Sequence, residues 1–436
     1  MKFFGTMEAR NNELYIGGVG VERLREEFGT PLYIVDEEGF KEKTQIFLDN
    51  FQSDKFETRV IYASKAFTNL YMVNLAAELG LYIDVVSGGE LYTALKGGMV
   101  PERIYCHGNN KLYEELEFAI SGDVGTVVAD NEYEYRLISK IANRDRVKVS
   151  ILLRVNPGIE AETHRYIQTA KHDSKFGMSI FNEKTQELIE EINNDEYVDF
   201  RGIHCHIGSQ IFDEKFFFAA ALAMIQFAHD IETKLDLDIK EINLGGGFGV
   251  YYTEKDRPFD LSQFLKKYVH TIEEKLSSLD FDVEIISIEP GRSLINDFGS
   301  TIYTIGSIKE TITGRRYLFV DGGMTDNPRH ALYQAEYEAG IANKINDEPV
   351  QEYTVAGKLC ETGDILIKSI KLPEASPGDI LVIPSTGAYN YSMSSNYNGM
   401  KKPAVVFAKN GECRLAVKRQ SYDDLIRNDV ERYFYI

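Results

Sequence analysis

The sequence has few cysteines and no long apolar run. Its four cysteines are widely spaced and no Cys-x-x-Cys pair occurs, which excludes a disulfide framework. No run of about 18 apolar residues is present, so no transmembrane helix is predicted. The first dozen residues already contain an acidic residue and two asparagines, so they lack the apolar core of a signal peptide. We therefore expect a cytoplasmic protein that does not bind membranes.

The sequence also has fewer basic residues than acidic ones. The chain has 48 lysines and arginines against 68 acidic residues, which gives a net charge of −20. Nucleic-acid binding requires a concentrated basic face, so this function is excluded. The 436 residues, 43% of them hydrophobic, suffice for a large core. They predict two or three domains, or one barrel of about 250 residues with a smaller domain.

The middle of the chain alternates between two patterns. From about residue 58 to residue 292, eight short runs rich in β-branched residues are separated by amphipathic helical stretches. The runs are RVIYASK, YIDVVSGG, RIYCHGN, GTVVADN, VSILLRVNPG, FRGIHCHIGS, EINLGGGFG and VEIISIEPGR. Eight such units predict a TIM-type (β/α)8 barrel, whose active site lies at the carboxyl ends of its strands. An open doubly wound sheet is the alternative, because eight units do not prove closure.

The pattern changes after Arg292, where strands follow one another with turn residues between them. This part predicts a β-rich second domain, a barrel or a sandwich. The strand-like segments ELYIGG and TPLYIV near the amino terminus could join either domain. We assign residues 35–292 to the barrel, and residues 1–34 with 293–436 to the β-rich domain.

Lys65 stands directly after the first barrel strand, between a serine and an alanine. A lone lysine is most often a solvated surface residue. At the mouth of a barrel, however, loss of water lowers the pKa of an amine and makes it a nucleophile for a carbonyl group.

His204 and His206 alternate at the end of the sixth strand, so they should face the same side. Such a pair could bind a metal. We find no second histidine cluster at the other strand ends, and His229, His270 and His330 are scattered. We therefore predict no metal, and favour an imidazole that stacks on a flat ligand.

The segment GGGFG, residues 245–249, follows the seventh strand. It fits neither a dinucleotide-binding fingerprint nor a P-loop, and it could merely form a tight turn. At a barrel mouth, however, its backbone N–H groups can converge on a phosphate, at a loop where these barrels often bind one. Glu289 ends the eighth strand and could hold a ring nitrogen protonated. A lysine, a phosphate cradle, a stacking imidazole and a carboxylate together indicate a pyridoxal-phosphate site.

Seven motifs resemble those of the diaminopimelate decarboxylases, a family of barrel-type pyridoxal-phosphate enzymes. They occur in order between about residues 30 and 400: YASKA, HCHIGSQ, NLGGGFG, EPGRS, DGGM, CETGD and GAYNYSMSSNYN. The resemblance implies that meso-2,6-diaminopimelate is converted to L-lysine and carbon dioxide, the final step of bacterial lysine biosynthesis.

The resemblance also implies roles at the cofactor. Lys65 would bind the aldehyde carbon covalently, His206 would stack on the ring, and Glu289 would meet the ring nitrogen. Asp84 and His204 would support them. The remaining contacts, with the phosphate, would come from Ser209, Gly247, the backbone from Glu289 through Gly291 to Arg292, and Tyr389.

For the amino-acid substrate, the resemblance implies a second group of side chains and a proton donor. Arginines pair with a carboxylate and a glutamate accepts from an ammonium group, as the distal end of diaminopimelate requires. The implied substrate residues are Arg292, Arg329, Tyr333, Glu361 and Tyr389. Cys360 would protonate the substrate carbon, although a lone cysteine is usually a small buried hydrophobe. Because the family shares its Cys-Glu segment between subunits, a head-to-tail homodimer is implied.

The sequence departs from the family pattern at three positions: Thr362, Ala170 and Asn390. None removes a catalytic group, but each could alter substrate affinity. The alternatives are the same fold acting on ornithine, arginine, lysine or carboxynorspermidine, and a non-catalytic pyridoxal-phosphate-binding regulator. A barrel racemase and a metal hydrolase that uses His204 and His206 fit the motifs less well.

Overall fold

A computed structural model of the chain describes residues 1–159 and 174–430. The described residues form two compact units. One contains Met1–Glu42, Tyr251–Lys255 and the described part of Ile295–Ile436, and the other contains Lys43–Val250 and Asp256–Leu294, apart from 160–173. The assignment of residues 35–292, and of 1–34 with 293–436, to two functional domains stays a prediction.

The chain begins with four strands and two helices. They are β1 Glu8–Arg10, β2 Glu13–Ile16, β3 Val19–Gly20, α1 Val21–Phe28, β4 Leu32–Asp36 and α2 Glu37–Asn50. Strands β1 to β3 form a small antiparallel sheet. Strand β4 is buried at all five positions, as a run of apolar β-formers predicts.

Eight parallel strands of the second unit close into a barrel, which confirms the predicted fold class. They are β5 Glu57–Ala63, β6 Tyr82–Val85, β7 Ile104–Cys106, β8 Thr126–Ala129, β9 Val149–Asn156, β11 Val198–His204, β12 Glu241–Asn243 and β13 Ile285–Ile288, with the short β10 Met178–Ser179 beside β9. Strand β8 pairs with β9, and β13 pairs with β5. These two pairings close the barrel and rule out the open sheet.

Helices follow most of the barrel strands. They are α3 Leu70–Glu78, α4 Gly88–Lys96, α5 Tyr113–Ser121, α6 Glu132–Asp145, α7 Glu183–Asn193, α8 Glu214–Leu235 and α9 Leu261–Leu279. Asn69, Ser87 and Asn131 accept backbone hydrogen bonds at the starts of α3, α4 and α6, so the loops from the strands end in N-cap residues. These caps fix where each loop at the barrel mouth ends.

The first unit is built on a sheet that confirms the predicted β-rich region. Helix α10 Arg292–Ile295 comes before its later elements, and all but the last residue of α10 belong to the other unit. The later elements are β14 Gly299–Glu310, β15 Arg316–Val320, α11 Arg329–Tyr333, β16 Gly340–Ile341, β17 Gln351–Ala356, β18 Ile365–Leu372, β19 Ile380–Ile383, β20 Ala404–Lys409, β21 Glu412–Val417 and α12 Tyr422–Ile426. The strand order is β18-β17-β15-β14-β4-β20-β21, so amino-terminal strand β4 lies inside this sheet. Within the described ranges, no helix has the length and apolar character needed to cross a bilayer.

Candidate active site

The carboxyl ends of the barrel strands bring most of the predicted cofactor residues to one end of the barrel. Lys65 follows β5, Asp84 lies in β6, and His204 is the last residue of β11. Gly247 and Glu289 follow β12 and β13. Parallel strands end at the same rim, which is where these barrels place catalytic groups.

Lys65 lies in a single helical turn, Ser64–Ala66, and is half-buried. This turn is attached to the end of the next strand by Glu90, whose Oε2 accepts from Ser64 Oγ at 3.1 Å and from the Val86 N–H at 2.8 Å. The neighbouring Asp84 is buried, and burial raises its pKa to about 6 against the opposing charges of Lys65 and His107.

The Glu289 carboxylate faces three side chains. Asn243 and His204 hydrogen-bond to it, whereas His107 lies close by without hydrogen-bond geometry. Glu289 Oε1 accepts from Asn243 Nδ2 at 2.8 Å and lies 2.8 Å from His107 Nε2. Its Oε2 lies 3.1 Å from His204 Nε2. Burial alone would raise the pKa of Glu289, but the two imidazoles outweigh it and hold this pKa well below 4.5. Glu289 is therefore an anion at neutral pH.

Burial lowers the pKa of His204 to about 4, so this imidazole is neutral. A neutral ring that donates Nε2–H to Glu289 leaves Nδ1 as an acceptor. Among the described residues this Nδ1 has no hydrogen-bond partner, and neither has Asp84 Oδ1.

His206 lies in the loop after β11 instead of in the strand itself. Its Nδ1 accepts from the Gly246 N–H at 3.1 Å, which leaves the ring proton on Nε2. Loss of water first, and then the charges of Lys65 and Arg154, lower the pKa of His206 well below 6.5. This loop therefore presents a neutral, fixed imidazole.

The glycine-rich turn approaches the neighbouring backbone closely. A Cβ at Gly246 would lie 2.1 Å from the Glu289 carbonyl oxygen, and one at Gly247 would lie 2.4 Å from the Gly208 carbonyl oxygen. Gly247 also has a φ of +113°, which favours glycine. Beside this turn, Arg292 Nη2 donates to Ser209 Oγ at 3.2 Å.

The predicted substrate residues outside the barrel lie in the first unit. Arg329 is buried, donates to Tyr337 Oη at 2.9 Å, and stacks on Tyr252 with its guanidinium carbon 4.6 Å from the ring centre. The Asn390 side chain donates to the same Tyr337 oxygen at 3.4 Å. One of the three departures from the family pattern thus contacts the group that orients Arg329.

Cys360 and Glu361 lie on an exposed loop after β17. The Cys360 N–H donates to Asn398 Oδ1 at 2.8 Å, and Thr362 is exposed beside them. Tyr333 and Tyr389 are half-buried, and Tyr389 has a φ of +61°. Ala170 lies outside the described residues.

His107 is the residue that the sequence analysis missed. It directly follows strand β7, and its ring centre lies 4.8 Å from that of His204. The signal was available, because RIYCHGN ends a barrel strand in a polar residue. The ligand atoms of His107, His204 and Glu289 lie within 4.8 Å of one another, a spacing that a metal ion could also use. The absence of a metal stays a prediction.

These features fit pyridoxal phosphate. The buried oxygen of Asp84 lacks a partner among the described residues, and the turn at Gly246 and Gly247 keeps backbone groups accessible where a side chain would fill the space. The ionised Glu289 matches a protonated ring nitrogen, and Lys65 offers an amine at the same rim.

Comparisons with known proteins give the same class. Residues 38–296 match the family described as pyridoxal-dependent decarboxylase, pyridoxal binding domain. The diaminopimelate decarboxylase of Bacillus subtilis (strain 168) is 46% identical over 421 residues, which covers 97% of this chain and 96% of that one. The enzyme of Staphylococcus aureus (strain COL) is 43% identical over 423 residues, 97% of this chain and 99% of that one.

Solved structures also resemble this chain. Diaminopimelate decarboxylase from M. jannaschii in complex with L-lysine superposes with a TM-score of 0.89 at 30% identity, over 98% of each chain. The Helicobacter pylori enzyme with L-lysine gives 0.85 at 31% identity, over 93% of this chain and 98% of that one. The chain therefore belongs to the diaminopimelate decarboxylase family of pyridoxal-dependent decarboxylases.

Proposed function

We propose that this protein is a pyridoxal-phosphate-dependent carboxy-lyase that converts meso-2,6-diaminopimelate to L-lysine and carbon dioxide. The observation that carries the proposal is the 46% identity to a diaminopimelate decarboxylase over nearly the whole of both chains. The groups at the barrel mouth support it, because an amine, a neutral imidazole and a buried carboxylate follow strands β5, β11 and β13 at the same rim. We also propose that residues 35–292 hold the cofactor and that the flanking residues supply substrate and dimer contacts.

The cofactor would be held by groups already in place. Lys65 would bind its aldehyde carbon, His206 would stack on its ring, and Asp84 and His204 would support these contacts. The phosphate would lie against Ser209, Gly247, Gly291, Arg292 and Tyr389. When bound, pyridoxal phosphate supplies an electron-accepting ring that stabilises the charge left on the substrate carbon. Glu289, which hydrogen-bonds to Asn243 and His204 and lies close to His107, would keep the ring nitrogen protonated.

The substrate would be recognised by charge at its far end. Arg329 is permanently charged and oriented by Tyr252 and Tyr337, so it suits a carboxylate. Glu361 suits the distal ammonium group, with Arg292, Tyr333 and Tyr389 completing the set. Cys360 would donate a proton to the carbon from which carbon dioxide has left.

We further propose that the protein forms a head-to-tail homodimer whose subunits share their active sites. We also propose that it is located in the cytoplasm. Cys360 and Glu361 are exposed in the single chain, which is unusual for groups that protonate or bind a substrate. An open recess of about 260 Å³ beside this loop, lined in part by Tyr317, Phe319 and Glu361, leaves space for another molecule. The four cysteines form no disulfide, as a reducing compartment favours.

Carbon dioxide release from the purified protein with pyridoxal phosphate tests the substrate. We would compare meso-diaminopimelate with L-ornithine, L-arginine, and D- and L-lysine. A strong preference for meso-diaminopimelate is expected. Preference for ornithine, arginine or lysine would leave the proposed cofactor unchanged and would overturn the proposed substrate.

The shared site can be tested by mixing two inactive variants, K65A and C360A, after unfolding and refolding them together. Random pairing would restore about a quarter of the wild-type activity if each site takes Lys65 and Cys360 from different chains. Sedimentation should give a dimer. No recovery in a mixture that forms dimers would contradict the shared site.

A further inference from the structure

Three side chains surround the carboxylate of Glu289. Asn243 and His107 both approach Oε1 at 2.8 Å, and His204 approaches Oε2 at 3.1 Å. His107 and His204 pack edge to face, so the carboxylate lies between two imidazole edges. Of the three, His107 comes from a strand, β7, that bears no group of the proposed cofactor site.

His107 is itself held by a rigid loop. The backbone N–H of His107 donates to the Val85 carbonyl at 2.7 Å, which connects the end of β7 to β6. Four residues later, the buried Lys111 Nζ contacts the Gly108 and Val128 carbonyls and Glu134 Oε2, at 2.7 to 2.9 Å. The loop from His107 to Lys111 is therefore attached to β6, to β8 and to helix α6. Such attachment is what a side chain needs to fix the orientation of another group.

We propose that His107 is a positioning residue, which orients the Glu289 carboxylate toward the ring nitrogen of the cofactor. This inference rests on the proposed cofactor. His107 acts through Glu289 and touches neither substrate nor reacting atoms. A carboxylate without this contact could rotate, and rotation would weaken its charge pairing with the ring nitrogen.

If His107 acts through Glu289, replacing it should weaken the binding only of a ligand that has the ring nitrogen. We would remove the cofactor from the full-length protein and measure the Kd of pyridoxal phosphate and of its 1-deaza analogue, in which carbon replaces that nitrogen. His107→Met should weaken the binding of pyridoxal phosphate about tenfold, because the carboxylate loses one close polar contact, and should leave the binding of the analogue unchanged. His107→Asn, whose shorter side chain withdraws from Glu289, should show the same selectivity and replaces His107→Met if that variant does not fold.

Two controls separate this role from a general effect on folding. His229→Met changes a half-buried histidine on helix α8 and should leave both affinities unchanged. In a Glu289→Gln background, His107→Met should add little to the loss, because the anion through which it acts is gone.

The proposal is overturned if His107→Met weakens both ligands equally, which indicates a structural role, or if it weakens neither. Additive effects of His107→Met and Glu289→Gln would overturn it as well. No amino-acid substrate enters the experiment, so a different substrate would leave its result unchanged. Failure of the wild-type protein to bind pyridoxal phosphate would overturn the proposed function as well.

Discussion

Glu289 illustrates how a single buried charge is kept in a folded protein. An isolated carboxylate in a dry interior would take up a proton, because burial disfavours its charged form. Hydrogen bonds from Asn243 and His204 and the nearby imidazole of His107, each at a different strand end, reverse this preference here. Asn243 has a second role, because its Oδ1 accepts from the Gly245 N–H at 2.9 Å and so links the carboxylate to the glycine-rich turn.

Glu289→Gln keeps the size and removes the charge. We expect the cofactor to bind more weakly but still to saturate the protein, and kcat to fall by about 10²-fold or more, the scale of one preorganised electrostatic group. Steady-state rates at saturating cofactor would measure it. A wild-type rate would show that the carboxylate does not assist the ring.

Lys65→Ala removes the only amine proposed to bond to the cofactor. Turnover should be abolished, and the absorption band of the covalently bound cofactor should disappear. Near-normal carbon dioxide release from this variant would contradict the assignment of Lys65. Lys148→Ala, at an exposed position in the same unit, serves as the control.

At the scale of the element, the loop after β7 depends on one buried ion pair. Lys111 and Glu134 are both buried, and Glu134 also accepts from the Lys111 and Asp130 N–H groups at 2.6 and 2.9 Å. Each of the two side chains supplies the opposite charge that the other needs in the protein interior. The pair therefore connects the loop to the start of helix α6.

Lys111→Met should lower the free energy of unfolding by about 3–5 kcal/mol, because it leaves the buried Glu134 charge without its partner. Urea denaturation would measure this loss. The exposed Lys148→Met is the matched control and should change stability little. Equal stability of the two variants would show that the pair contributes nothing net.

The turn after β13 approaches strand β5 closely at Gly291. A Cβ there would lie 2.7 Å from Ala63 Cβ and 2.9 Å from the Ala63 carbonyl oxygen, two residues before Lys65. Gly291→Ala should force these segments apart, weaken cofactor binding and destabilise the protein by about 1–3 kcal/mol. Gly306→Ala is the control, since its Cβ would meet nothing closer than 3.7 Å. Unchanged cofactor affinity in Gly291→Ala would contradict the close packing.

The sequence predicted the elements better than their contacts. Lys65, Asp84 and Glu289 could be placed because each ends a recognisable strand. His107 also ends a strand, but its meaning depends on Glu289, which lies 182 positions further along the chain, and no local pattern records that proximity. Likewise, Asn390 could be noted as a departure but not connected to Arg329, since Tyr337 joins them only in the folded chain.

At the scale of the whole molecule, Asp326 makes stability depend on pH. It is buried and accepts from Tyr303 Oη at 2.6 Å and from the Gly323 N–H at 3.0 Å. Burial nevertheless raises its pKa to about 7, above the ordinary value of 3.8. The folded protein thus holds this proton more tightly than the unfolded chain does. The resulting stabilisation is full below pH 3.8 and is lost as the pH rises toward 7.

Asp326→Asn cannot titrate, so it isolates this contribution. The stability of the wild type relative to the variant should fall between pH 4 and pH 7, by at most about 1.4 kcal/mol per pH unit. Urea denaturation of both proteins across this range would measure the difference. A difference that stays constant with pH would contradict the raised pKa.

The sequence could not predict the closure of the barrel or the position of strand β4, because both depend on which strands pair. Eight alternating units predict a barrel, yet it takes the β8–β9 and β13–β5 pairings to exclude an open sheet. The apolar run of β4 predicts a buried strand but does not name its partners, which are β14 and β20. Partner choice is a long-range property, whereas periodicity is a local one.

The position of strand β4 also constrains the order in which the protein can be assembled on the ribosome. Its two neighbours in the sheet are synthesised roughly 260 and 370 residues later, at Gly299–Glu310 and Ala404–Lys409. The barrel strands all emerge in between. During translation the barrel can therefore be completed first, while β4 waits with both hydrogen-bonding edges open. This interval is when the nascent chain is most exposed to wrong strand pairing.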